Sequence, residues 1–395
     1  MRTMVVAGLL GLVGACAQAE PAPGGAPAPA GPPIVAYEVP AEAGIARQDW
    51  ATGLRNPWGI AWLPDGRALV TERGGALKIV GRDGRVSGSV AGVPAVAAIG
   101  QGGLLDVAVH PDFARNGLVY LTHAVGDSQQ NQTALSRGKL VGGELTQVTE
   151  LLRNPQAKNG GAHFGSRLLW LPDGSLLMSV GDGGNSNIRL NGEPIRNNAQ
   201  NPKAWFGKVL RLTADGAAAA GNPGADAATG WDARLWTMGH RNVQGLALDP
   251  KTGDVWATEH GARGGDELNR LVSGGNFGWP LLTYSLEYSG QPITGERSRP
   301  GFVDPVSVWV PSIAPSGLAV YRGSVLKSLD GALLAGGLMS QDVRVIRIGA
   351  DGRPTGETRI ELGARVRDVA VGPDGLVYVL TDDEAGRIIR LSPAR

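Results

Sequence analysis

Residues 366–383 read VRDVAVGPDGLVYVLTDD, and their reading decides the fold. Apolar side chains alternate in Val-Ala-Val before Pro-Asp-Gly and in Leu-Val-Tyr-Val-Leu after it, the period of two that turns one strand face inward. Asp and Gly accept the left-handed backbone angles of a tight reversal, so the stretch predicts a β-hairpin. The unit recurs as NPWGIAWLPDGRALVTER (56–73), GGLLDVAVHPDFARNGLVYLTHA (102–124), FGSRLLWLPDGSLLMSVGD (164–182) and NVQGLALDPKTGDVWATEH (242–260). A looser copy, PSGLAVYRGSVLKSLDGALLAGGL, spans 315–338.

Six such units, none able to bury both faces alone, predict a closed ring of small sheets. The expected fold is all-β: a six-bladed β-propeller with four-stranded antiparallel blades and long inter-strand loops. A β-sandwich or two smaller β domains is the alternative. Uneven spacing of the units places long insertions around 183–235 and 262–310.

Composition agrees. The chain has 395 residues, with 61 Gly and 26 Pro but only 5% aromatic residues, which suits many short strands separated by turns. A net charge of +1 and the lack of any Lys/Arg-rich run argue against a nucleic-acid partner, which needs a concentrated basic face.

The first 19 residues read as an export signal: Arg2, an apolar run from Met4 to Val13, then small residues. The run is too short to span a membrane. Cys16 is the sole cysteine, so no internal disulfide forms. Leu12-Val13-Gly14-Ala15-Cys16 resembles a lipoprotein cleavage box, which would tie the chain to a membrane by a lipid on Cys16; ordinary cleavage after Ala17 or Ala19 is the other reading. Residues 20–40, opening EPAPGGAPAPAGPPI, are expected to form a Pro/Ala/Gly-rich tether, and 41–395 a single propeller domain working outside the cytoplasm.

If the first strand of each unit lines the central channel, the loops just before these strands open on one face. They carry Gln101, His163, Arg241 with Asn242, Ser312, and Arg365 with Arg367. A histidine can take a proton near neutral pH, and arginines bind carboxylates in two-pronged fashion. Several arginines around one pocket would repel one another unless an anion lay among them. TEHGARGGDELN (258–269) adds carbonyls and carboxylates of the kind a hard cation such as calcium takes. Each feature also has an ordinary reading: a solvated loop histidine, glycines that serve only turns, and Arg367 paired with Asp368 or Asp382. HExxH, GxSxG, P-loop and CxxC patterns are absent, which disfavours a zinc or nucleotide enzyme.

The sequence resembles the soluble quinoprotein glucose/sorbosone dehydrogenase family. Its branch is similar to the pyrroloquinoline quinone (PQQ)-dependent aldose sugar dehydrogenases of the Gram-negative periplasm. The resemblance is carried by GLRNPWGIAWLPDG, GQGGLLDVAVHPDF, HFGSRLLWLPDG, GKVLRL, GHRNVQGLALDP, TEHGARGGDELN, NFGWPLLTY, WVPSIAPSGLAVY and RVRDVAVGPDG, in the family's order over roughly 46–392. It implies oxidation of an aldose at its anomeric carbon, with electrons passed from PQQ to an external acceptor such as a quinone, cytochrome or dye. It implies His163 as catalytic base and Arg241 as stabiliser of charge on the quinone oxygens, with Asn242 and Gln101 beside them. Ser312 is expected to join the cofactor contacts. Arg365 and Arg367 would grip the PQQ carboxylates, and Tyr288 and Trp309 would lie over cofactor or sugar. The carbonyls of Gly261 and Ala262 would hold the cofactor's calcium, and Glu267 with the carbonyl of Phe277 a second, structural calcium.

Two departures stand out. Ala162 precedes the histidine where the glucose dehydrogenase branch has aspartate, so the group that orients His163 must come from elsewhere. LMSQDV (338–343) lacks that branch's lysine. Broad aldose specificity and a monomer are expected, in the periplasm or, with Cys16 lipidated, as an outer-membrane lipoprotein. The competing functions are a calcium lactonase-like hydrolase and a non-catalytic carbohydrate- or envelope-binding propeller.

Overall fold

The computed structural model describes residues 31–185 and 187–394, so the export signal and Cys16 lie outside the described residues. Six four-stranded antiparallel sheets follow one another along the chain. Blade 1 spans 57–89, blade 2 104–153, blade 3 168–238, blade 4 243–309 and blade 5 315–361. Blade 6 takes three strands from 366–393, and Ile45–Leu54 completes it by pairing antiparallel with Gly386–Pro393. The two ends of the propeller domain are thereby joined within one sheet. Each repeat read from the sequence supplies the first two strands of one blade. In every blade the reversal between them holds a glycine in the left-handed region: Gly66, Gly117, Gly174, Gly253, Gly331 and Gly375, with φ from +67° to +85°.

The ring closes on itself. Apolar clusters fill each junction between neighbouring blades, including the last, where Leu380 and Ile388 of blade 6 meet Ile60 and Val70 of blade 1. A hydrogen bond crosses each junction near the axis. Thr122, Ser179, Thr258 and Ser316 donate to the carbonyls of Ser166, Val243, Ser316 and Val366 at 2.7–3.1 Å. Thr71 donates to the Leu105 carbonyl, and the Ile60 amide donates to Asp368 at 3.2 Å. First strands therefore line the centre, as the repeat predicts.

One boundary is corrected. Ile34–Val35 runs parallel to Val308–Trp309 as a fifth strand on blade 4, and Ala41 bridges Arg359 of blade 5. The last residues of the expected tether thus join the propeller, because their apolar side chains find an open sheet edge. Among the described residues no helix is long and apolar enough to cross a membrane.

On the axis, Arg167 sits between two carboxylates, Asp106 at 3.2 Å and Asp368 at 3.0 Å, all three buried. Gly59 and Gly317 make room for them: a Cβ at Gly317 would stand 1.9 Å from Asp368 Oδ1. Burial pushes Asp106 up to about 6, with Arg167 opposing and Asp368 adding to the rise.

Candidate active site

Above this ion triad, a chamber of about 300 Å³ is lined by the starts of first strands and by the loops before first strands and after second strands. Gln101, Asn242, Arg365 and Arg367 face it, as the sequence predicts, joined by Trp58, Arg73, Gln244, His260 and Asp382. Residues 264 positions apart thus share one wall because blade succession wraps the chain round the axis.

His163 is buried next to Phe164 and Gly165, which line the chamber, and is held in the left-handed region, φ +53°, a costly conformation for a residue with a Cβ. The amide of His163 donates to Gln101 Oε1 at 2.8 Å. Its Nδ1 lies 2.6 Å from Asp182 Oδ1, and Asp182 Oδ2 accepts from Trp279 Nε1 at 2.7 Å. With Nδ1 donating to the carboxylate, Nε2 is left as the acceptor. Burial pulls the pKa of His163 below the ordinary histidine value, helped by the charge of Arg241 and opposed by Asp182. The imidazole is neutral at neutral pH and able to take a proton.

Asp182 answers the question Ala162 raises. Its position reflects a rule repeated round the ring: an acid at the end of the second strand, or just past it, supports the residues at the start of the first. Glu72 accepts from the Arg55 amide at 2.7 Å, and Glu259 from the Arg241 amide at 2.7 Å. Asp382 pairs with Arg367 at 2.9 Å and Arg365 at 3.2 Å. Thr-Glu at 71–72, Thr-Glu at 258–259 and Thr-Asp at 381–382 mark three of these acids in the sequence. Asp182 comes after Val-Gly instead, which hides it.

Arg241 donates to the carbonyls of Gly261 at 2.5 Å and His260 at 3.3 Å, and to Tyr288 Oη at 3.3 Å. Its guanidinium lies 5.4 Å from the Trp279 ring. Half-exposed Tyr288 therefore stands at the outer edge of the site. Ser312 donates to Asp266 at 2.6 Å, and Asp266 accepts from the Gly261 amide at 2.8 Å, which fixes the loop that presents the carbonyls of Gly261 and Ala262.

Trp309 does not join this group. It is fully buried between blades 4 and 5, and its Nε1 donates to Glu357 at 3.0 Å. Its expected place over a cofactor or sugar is corrected: an alternating strand residue here faces the junction between sheets. Phe277 is buried against His240, ring centroids 4.6 Å apart. Glu267 is pushed well above the ordinary carboxylate range by burial and by Glu259 beside it. The neighbouring Asn269 Oδ1 is buried without a hydrogen-bond partner.

The charge of the chamber points to an anion. Arg73, Arg365 and Arg367 face it against the single carboxylate of Asp382. Arg367 Nε and His260 Nε2 are buried without partners. Burial, Arg241 and Arg367 hold His260 down at about 3, so it adds no charge.

The model of the glucose/sorbosone dehydrogenase family matches residues 54–390. The chain belongs to that family. A curated relative named as an aldose sugar dehydrogenase of Escherichia coli is 38% identical over 349 residues, covering 86% of this chain and 91% of the relative. A quinoprotein glucose dehydrogenase of Acinetobacter calcoaceticus is 28% identical, covering 84% of each. Among solved structures, the apo-form of the soluble E. coli aldose sugar dehydrogenase superposes with a TM-score of 0.82 at 36% identity, covering 89% of this chain and all of that one. A PQQ-bound aldose sugar dehydrogenase of Streptomyces coelicolor gives 0.70 at 29% identity over 89% of this chain and 99% of that one. As a glucose/sorbosone dehydrogenase, the protein is an oxidoreductase of the aldose sugar dehydrogenase kind.

Proposed function

We propose that the protein oxidises aldoses at the anomeric carbon to aldonolactones, with PQQ and calcium in the chamber and electrons passed on to an external quinone, cytochrome or dye. The observation that carries this reading is His163, neutral and clamped by Asp182, beside a chamber whose guanidinium groups outnumber its carboxylates. The residues fit PQQ: a planar tricarboxylate would balance Arg73, Arg365 and Arg367, which share the one carboxylate of Asp382, and would give the unpartnered Arg367 Nε an acceptor. When bound, PQQ supplies the two-electron acceptor that takes hydride from the sugar.

His163 Nε2 removes the proton of the anomeric hydroxyl, Asp182 fixes the imidazole's tautomer, and Arg241 supports developing negative charge. The carbonyls of Gly261 and Ala262 are oxygen donors suited to calcium, although Gly261 accepts from Arg241 here, so that guanidinium must draw back to release it. Glu267, the unpartnered Asn269 Oδ1 and the carbonyl of Phe277 fit a second calcium, which would also relieve the repulsion between Glu267 and Glu259. Export to the periplasm, with a lipid on Cys16 or with plain cleavage, and a monomeric state complete the reading.

The hydrolase alternative needs several carboxylates on one axial calcium. Asp106 and Asp368 are instead occupied by Arg167. The test is dye reduction by purified protein with glucose, galactose and other aldoses: activity is expected only after adding both PQQ and calcium. Reduction without PQQ, or none with it across a broad sugar panel, overturns the assignment.

A further inference from the structure

Beside the chamber a second cleft runs along Arg241 and Trp279, the residue that holds Asp182. Its free volume is about 10 Å³, no more than a single water needs, roughly 10–15 Å³. Two of its lining residues form an ion pair, Arg196 Nη1 to Glu287 Oε1 at 2.7 Å. The pair joins the two long insertions, one from blade 3 and one from blade 4. Arg196 lies 5.8 Å from the Trp279 ring, whose other cation neighbour is Arg241.

The pair lies where water reaches it. Its side chains remain 17% and 21% exposed, and an ion pair reached by water is held weakly. Glu287 begins a tight turn closed by its own backbone bonds with Gln291 and Gly290, so its carboxylate can swing without unfolding a strand. Tyr288, 58% exposed, flanks the opening. Once parted, the carboxylate accepts hydrogen bonds from neighbouring hydroxyls and the guanidinium donates them, the pairing a polyol offers.

We propose that Arg196 and Glu287 form a latch over the sugar subsite, which opens to admit an aldose and then binds the hydroxyls remote from its anomeric carbon. The latch thereby sets which sugars are accepted. This rests on the dehydrogenase reading above and extends it to substrate choice.

The test uses protein loaded with PQQ and calcium, comparing glucose with maltose in Arg196→Ala, Glu287→Ala and the double variant. Each single change is expected to raise KM for glucose at least tenfold while kcat shifts less than threefold. The double variant should be no worse than the poorer single one, because the partners act as a unit. The ratio of kcat/KM for maltose over glucose should rise at least fivefold as the cleft stays open. Unchanged PQQ titration separates these effects from a collapsed site. Should an alanine variant fail to take up PQQ, Glu287→Gln and Arg196→Lys, which preserve size, are expected to show the same KM shift. Unaltered KM and sugar ratio in variants that bind PQQ overturn the proposal. If wild-type protein turns over no aldose, calorimetry with glucose decides. Binding that is lost in Glu287→Ala keeps the latch and sinks only the dehydrogenase reading; absent binding sinks both.

Discussion

Asp182 lies 19 residues beyond His163, across a hairpin of blade 3, and sets its carboxylate 2.6 Å from the imidazole Nδ1. A base held this way loses its tautomer when the carboxylate goes. His163→Ala should lower kcat by about 10²–10⁴-fold, the ordinary worth of general-base catalysis, and Asp182→Asn by a substantial part of that. The pH profile of kcat/KM carries the sharper sign. Burial, and then Arg241, lower the pKa of His163, so activity should rise with pH through a value below 6.5 and level off by neutrality. Asp182 opposes that lowering, so Asp182→Asn should move the rising limb further to acid while reducing the plateau. A limb shifted toward alkaline pH would contradict the pairing.

Replacing Arg365 and Arg367 together by Ala should weaken PQQ binding, measured by absorbance titration of the apoprotein. Each charge-assisted contact is worth about 1.5–3 kcal/mol. Asp382→Asn should weaken binding less, since it frees both guanidinium groups yet removes their common anchor. Equal affinity in the double variant would mean the anion lies elsewhere.

Gly317→Ala should destabilise the fold by about 1–3 kcal/mol or more, because overpacking at a fixed backbone forces neighbours to move. The added carbon would meet Asp368 Oδ1 at 1.9 Å and Asp368 Cα at 2.7 Å. Gly356→Ala, where nothing stands within 4 Å, is the control. Thermal melts of the two should differ by several degrees.

Calcium should raise the melting temperature of the apoprotein, and Glu267→Gln should abolish that response. The same substitution should stabilise the calcium-free protein, because it removes one of two carboxylates that burial forces together. A calcium response that survives in Glu267→Gln would place the stabilising ion at Gly261 and Ala262 alone.

The ring was legible because each hairpin repeats its own chemistry, down to the glycine at every first reversal. The face of the site was legible too, since loops before first strands must converge once the ring closes. Trp309 misled because burial on both faces of the strand Ser307–Trp309 erases the alternation that would show which way an aromatic points. Asp182 was invisible for a different reason: its partner sits across a hairpin, and Val-Gly interrupts the Thr-acid pattern that flags Glu72, Glu259 and Asp382. Lys158, buried near His163 with its ammonium 4.0 Å from the Phe164 ring and pulled down to about 8 by burial, carried no signal at all.

The axial triad of Asp106, Arg167 and Asp368 fills the middle of the ring beneath the chamber. With PQQ in the chamber as proposed, sugar and electron acceptor would both approach it from the side away from this triad and take turns. Initial-rate plots against both substrates should therefore run parallel, the lactone departing before the oxidant arrives. High acceptor concentration should compete with the sugar.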